Sequence, residues 1–216
     1  MLEIKRLGLS EYGEENRYYC EQEGQTCEVY YGLRVVPGEW IEILWDTYDE
    51  GLHIEEAIQE QSCYTRESFT SALRDPDYNK IVMVLNGEAS GLLMGTNNLD
   101  KAKVAYINPR FVLKRFQQEV KDGRFWYLTC MFVSKELRHL GFARLIVRAA
   151  VDAIWEKKYT LALDVSESRE FLPDILVEMS KELGFPIEKQ LLGSQSYYAF
   201  RPLSDSEPLE TEEVKP

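Results

Sequence analysis

The sequence predicts a mixed α/β domain, and three local patterns carry that prediction. Phe125–Val133 is an unbroken nine-residue apolar and β-prone run, which suits a central buried strand. Gly141–Lys157 follows, with Phe142, Leu145, Ile146, Ala149, Ala150, Ala153 and Ile154 spaced three and four apart as in an amphipathic helix. Tyr159–Val165 is a second strand, so this strand–helix–strand unit is a crossover whose strands run parallel.

The other elements follow in chain order. Residues 1–27 are polar and aromatic without a clear period and read as an N-terminal extension. Glu28–Val36 is rich in β-formers and stops at Pro37-Gly38, which predicts a strand and then a break. Trp40, Ile41, Ile43, Leu44 and Tyr48 recur at helical spacing. A second helix is expected over Thr65–Leu73, with Thr65 as N-cap and Asp75-Pro76-Asp77 as its end. Ile81–Leu85, Asn86-Gly87 and the run through Leu92–Met94 predict a β-hairpin. Asn-Gly suits its type I′ turn, where both central residues need positive φ. In the insertion Thr96–Asp122, Asn108 and Pro109 open a helix with Phe111, Val112, Phe116 and Val120 along one side, and Gly123 closes it. Phe171–Leu183 is a last helix ending at Gly184, and Ile187–Leu192 with Ser196–Arg201 suggests a closing hairpin. The organisation read from these signals is an extension (1–27), one domain (28–202) and a disordered acidic tail (203–216).

Composition narrows the function classes. Of 216 residues, 44% are hydrophobic and 29% charged, as in a packed globular protein. No apolar run approaches the ~20 residues of a membrane span, and the first residues lack the apolar core of a signal peptide. A cytoplasmic location without membrane association is the expectation. The net charge of −12, of which −4 lies in Ser204–Pro216, repels polyphosphate backbones, so no nucleic-acid partner is expected. Cys20, Cys27, Cys63 and Cys130 have neither CxxC nor metal-ligand spacing and read as free thiols. With only His53 and His139 and no G-x-S-x-G elbow, neither a metal site nor a serine triad is indicated.

The segment Arg138-His139-Leu140-Gly141-Phe142-Ala143 has the spacing R-x-x-G-x-A at a strand-to-helix junction. The first turn of a helix presents unpaired N–H groups and partial positive charge. Gly141 lets an anion approach the backbone, and Ala143 keeps the next contact small. Lys135, Arg138, Arg144 and Arg148 against Glu136 give a local +3 in an acidic chain, the charge a phosphate ligand needs.

On this junction, on the long strand before it and on Leu183-Gly184-Phe185 after the later helix, the chain resembles the GNAT superfamily of acyl-CoA-dependent N-acyltransferases across roughly residues 28–202. The resemblance implies a central, mostly antiparallel sheet with splayed middle strands, flanked by helices. It implies acetyl-CoA as cosubstrate and an amine acceptor, small molecule or protein. Main-chain groups of Met131 and Val133 would pair with the pantetheine arm, backbone N–H groups of Arg138, His139, Leu140, Gly141, Phe142 and Ala143 would hold the pyrophosphate, and Phe132 and Arg144 are further coenzyme-binding candidates. A free N–H near Val133 would stabilise the developing oxyanion. Transfer by direct attack demands no metal and no dedicated nucleophile.

Several positions depart from the family pattern. Lys135 stands where many relatives have proline, and Ser180 stands where many carry a tyrosine acid. Tyr127 occupies the place of a glutamate base, Glu167 is another base candidate, and Tyr197 and Tyr198 are candidate phenols for the acid. Trp40, Trp45 and Tyr48 are candidate substrate walls, with core packing as the competing reading. Cys130, His53 and Cys63 read as structural, and His139 as a main-chain contributor. A non-catalytic module that binds CoA or a protein partner is the alternative. A nucleotide-phosphate protein is weaker, for want of a G-x-G-x-x-G or P-loop pattern. A homodimer remains open.

Overall fold

The computed structural model describes residues 4–6, 16–22, 24–52, 64–100, 109–137, 142–165, 172–185 and 187–192. Among the described residues seven strands form one sheet in chain order: β1 (Ile4–Arg6), β2 (Asn16–Gln22), β3 (Gln25–Leu33), β4 (Tyr78–Leu85), β5 (Glu88–Thr96), β6 (Phe125–Val133) and β7 (Thr160–Leu163). All neighbours pair antiparallel except β6 and β7, which pair parallel across the expected crossover. The sheet is therefore mixed and mostly antiparallel.

Strand alternation divides the core into two layers. On one face Cys27, Val29, Tyr31, Ile81, Met83, Leu93, Trp126 and Leu128 meet α5 (Ala143–Lys157) and α6 (Leu172–Glu182). Phe185 of the Leu-Gly-Phe element stacks on Trp155 of α5 at 5.0 Å. On the other face Tyr30, Val82, Val84, Leu92, Met94 and Phe132 meet α1 (Gly38–Leu52) and α2 (Arg66–Arg74). Val112 of α3 (Pro109–Arg115), with Phe116 and Val120 flanking and inside α4 (Gln117–Lys121), covers Phe125 and Tyr127 there.

Local chemistry explains the boundaries. Thr65 caps α2 reciprocally: its hydroxyl accepts from the Ser68 N–H at 3.2 Å, and the Ser68 hydroxyl accepts from the Thr65 N–H at 2.9 Å. Asn86 and Gly87 take φ of 50° and 91°, the turn their sequence predicts. Lys80 is fully buried at the start of β4. Its ammonium donates to the carbonyls of Arg34, just past β3, and Asp75, the C-cap of α2.

Three expectations need correction. The stretch read as an extension without period carries β1, β2 and the start of β3, with Cys20 facing Cys27 in register. The alternation is hard to see because β2 buries aromatic and thiol groups beside polar ones: Tyr18 and Cys20 are buried, and the Tyr18 hydroxyl donates to buried Asp152 of α5. The insertion's helix is two short helices broken at Phe116, and Phe111 faces solvent at 41% exposure instead of joining Val112 in the core. Ile187–Leu192 forms no strand and Leu191 is 81% exposed; three consecutive polar residues, 188–190, leave it little apolar surface. Asn108, His53, Cys63, Glu167, residues 138–141 and residues 193–216 lie outside the described residues, and the tail expectation with them.

Candidate functional site

The sheet opens between β6 and β7. Pairing runs from Phe125↔Thr160 to Leu128↔Leu163 and then stops, while β6 continues for five more residues to Val133. On its other side β6 stays paired with β5 up to Gly91↔Val133. Among the described residues, 129–133 thus have no strand partner on the β7 side, an open edge roughly 16 Å long at about 3.3 Å per residue. The main-chain groups of Met131 and Val133 point to this edge, because the Ser134 N–H bonds the Ser90 carbonyl of β5 and the pairing alternates along the strand. This is the splay that the resemblance implied. Thr129, Met131 and Val133 are half-buried along it, while Cys130 and Phe132 are buried against the α1 face.

A bulge marks the inner end of the slot. The β5–β6 register passes from Met94↔Cys130 to Gly95↔Leu128 and skips Thr129. Side chains change phase there. Trp126 and Leu128 face α5, yet beyond Thr129 it is Met131 and Val133 that face α5. The extra residue bends the strand and raises its twist, which turns the open edge away from β7.

The outer end of the slot leads to α5. Ser134 and a 3-10 turn (Lys135–Leu137) follow β6, and α5 begins at Ala143 after Phe142, which makes no side-chain cap bond. Among the described residues, no side chain of the N-cap position satisfies the first N–H groups of this fifteen-residue helix, as an anion site requires. Phe142 is 1% exposed and Ala143 half-buried; Arg138, His139, Leu140 and Gly141 lie outside the described residues. Two of the cations counted in the sequence are already engaged. Arg144 donates to Glu182 of α6, and Lys135 reaches Glu50 of α1 at 2.9 Å. Arg148 keeps a buried Nε with no hydrogen-bond partner among the described residues. An open peptide edge running to an uncapped helix with an orphaned guanidinium nitrogen fits an extended amide-containing arm ending in a diphosphate.

Titratable chemistry gathers at the inner end. Tyr127 is fully buried, and its hydroxyl donates to Asp164, the residue just after β7's last paired position. Desolvation of the Asp164 carboxyl pushes its pKa up from the ordinary carboxylate value, although the residue is exposed overall, and the Tyr127 bond pulls it partly back. Sequence reasoning passed over Asp164 by treating Tyr159–Val165 as plain strand, although a carboxylate in the run Leu-Ala-Leu-Asp-Val is itself a signal. It also passed over Tyr64, whose hydroxyl donates to Thr129 at 2.9 Å.

Other candidates resolve against a direct role. Ser180 is fully buried with its hydroxyl on the Val177 carbonyl at 2.8 Å. Trp40 and Tyr48 are core residues, since Trp40 packs on Tyr30 at 5.2 Å and Tyr48 stacks on Phe69 at 5.0 Å. Trp45 is half-buried against Phe69 and Tyr48. Tyr197 and Tyr198 lie outside the described residues. Among the described residues no cluster of three or more His, Cys, Asp or Glu could hold a metal, and no helix is long and apolar enough to cross a membrane.

Comparison with known proteins adds the following. The model of the Acetyltransferase (GNAT) family matches residues 38–172. No curated protein matches the chain significantly. Among solved structures, an aminoglycoside acetyltransferase from an uncultured soil metagenomic sample, in complex with sisomicin, is 12% identical with a TM-score of 0.48, covering 81% of this chain and 97% of that one. A ribosomal-protein-alanine N-acetyltransferase from Brucella melitensis biovar Abortus 2308 is 12% identical with a TM-score of 0.39, covering 81% and 98%. A predicted acetyltransferase with acetyl-CoA from Clostridium acetobutylicum is 16% identical with a TM-score of 0.44, covering 78% and 96%.

Proposed function

Because the chain belongs to the GNAT acetyltransferase family, we propose that it moves an acetyl group from acetyl-CoA to a primary amine by direct attack of the amine on the thioester. The observation that carries this reading is the open edge of β6, five residues long and leading to the uncapped start of α5. Met131 and Val133, on either side of Phe132, hold the pantetheine arm as an added strand would be held, and the segment 138–144 meets the pyrophosphate. Arg144 takes part by exchanging Glu182 for phosphate. Acetyl-CoA supplies an activated acyl group whose thiol departs.

The residues at the inner end divide the remaining work. A main-chain N–H of the free edge, with Val133 the first candidate, faces the carbonyl oxygen as it gains charge. Asp164, held by Tyr127, accepts the proton that the amine loses on forming the amide. Desolvation at the carboxyl, which raises its pKa, makes the carboxylate a better base. Tyr197 and Tyr198 are the candidate donors to the departing sulfur, the role Ser180 cannot fill. An acidic chain favours a cationic acceptor.

The test begins with acetyl-CoA titrated calorimetrically into the wild type and Gly141→Glu, followed by thiol release over a panel of primary amines. Binding lost in Gly141→Glu, and turnover reduced by roughly 10²–10⁴ in Asp164→Asn with binding kept, are the expected results. Unchanged affinity in Gly141→Glu refutes the loop assignment. Binding without turnover of any amine favours the non-catalytic module.

A further inference from the structure

Thr129 stands where two interruptions of the sheet coincide. It is the residue skipped by the β5–β6 register and the first of β6 beyond the β7 pairing. Its hydroxyl donates to the carbonyl of Met94 at 3.2 Å, on the β5 residue at the register shift, and accepts from the Tyr64 hydroxyl at 2.9 Å. A side chain thus supplies a bond where the ladder is broken.

Tyr64 is held firmly enough to act as the other half of that arrangement. It is 3% exposed, and its N–H donates to the Tyr48 hydroxyl at 2.9 Å. Its ring lies edge-on to Tyr48 and Phe69. The next residue, Thr65, caps α2, so the phenol projects from the fixed start of a helix toward the bulge.

We propose that Tyr64 and Thr129 are positioning residues for acyl transfer, a two-hydroxyl latch that fixes the β6 bulge and so the angle at which the open edge leaves β7. The inference rests on the proposed function, in which the acetyl-CoA arm lies along that edge. The main-chain donors at Met131 and Val133 follow the bulge by two and four residues, so their aim at the thioester depends on its geometry. Misaiming lowers the rate of the chemical step more than it weakens binding along the whole edge. The latch bonds hydroxyl to hydroxyl to carbonyl, so removing either hydroxyl breaks the same chain.

Four variants test the latch: Tyr64→Phe, Thr129→Val, Thr129→Ser and the double Tyr64→Phe/Thr129→Val. Each is assayed at a temperature where it is fully folded. Loss of the Tyr64–Thr129 bond predicts kcat lower by about tenfold in Tyr64→Phe, and loss of that bond together with the Met94 bond at least as large a drop in Thr129→Val, with acetyl-CoA affinity changed by less than about threefold in each. Thr129→Ser keeps wild-type kcat, and the double variant is no worse than the weaker single. Backbone amide exchange over 129–133 is faster in Tyr64→Phe than in wild type, with no substrate present. Thr129→Ser as impaired as Thr129→Val, single effects that multiply in the double, or undiminished kcat in the singles would each overturn the latch. A wild type that does not bind acetyl-CoA defeats the proposed function instead. The latch is then judged on amide exchange alone, and unchanged exchange in Tyr64→Phe overturns it.

Discussion

Lys80→Met is expected to change stability in a way that depends steeply on pH. Lys80 is fully buried and donates to two carbonyls, Arg34 and Asp75. Burial lowers its pKa to about 8, against 10.5 when exposed, while Asp75 and Asp77 pull it partly back up. The folded state therefore sheds a proton that the unfolded chain keeps between pH 8 and 10.5, and wild-type stability from this group rises with pH across that window. At 1.36 kcal/mol per pH unit the gain is about 3 kcal/mol. The neutral amine still carries two N–H groups, one for each carbonyl, so discharging the lysine breaks neither bond. Methionine keeps the stem and leaves two buried carbonyls unsatisfied, at about 1–3 kcal/mol each, but has no charge to desolvate. The two effects largely offset at neutral pH and separate as the pH rises. Urea unfolding of both proteins at pH 7.5, 8.5, 9.5 and 10 measures the difference, in which other titrating groups cancel. A stability difference that stays flat over this range would refute the buried, partly discharged lysine.

Three other outcomes follow from the same geometry. In the profile of kcat/KM against pH, activity falls on the acid side as Asp164 protonates, and Tyr127→Phe moves that limb to higher pH because it removes the bond that lowers the carboxyl's pKa; a limb that stays put, or moves down, removes Asp164 from the base role. Ser180→Ala is expected to leave kcat within about twofold of wild type, since its hydroxyl is committed to the Val177 carbonyl, and a large loss would restore it as a candidate acid. Gly95→Ala is expected to destabilise by about 1–3 kcal/mol or more in thermal or urea unfolding, because its Cβ would lie 2.6 Å from the Tyr127 carbonyl oxygen and 2.5 Å from the Trp126 indole nitrogen; wild-type stability would mean that β5 and β6 are farther apart at the closed end of the slot.

What was legible in the sequence was whatever depends on neighbours in the chain. Phe125–Val133 matched β6 residue for residue, Thr65 capped its helix, and Asn86-Gly87 turned as its chemistry required, because each is settled by period, side-chain reach or permitted φ. The crossover implied parallel strands by handedness and length, and β6 and β7 pair that way. The open edge beside β7 was reached through family resemblance alone, since nothing in the composition of β7 says that its pairing ends at Leu163. The chemistry at the inner end was illegible for a sharper reason. Thr129 looks like one more β-former in an apolar run, and its part appears only once Met94 from β5, Tyr64 from before α2 and the departure of β7 meet at that point. A bulge is a mismatch of count between two strands, so no single segment contains it. Residues whose work is to hold such a mismatch carry no periodic signature of their own. Tyr64 and Thr129 are of this kind. The motif that draws the eye, R-x-x-G-x-A, marks where the diphosphate would lie on the proposed reading, whereas the reacting carbonyl would be positioned by groups from separate parts of the chain.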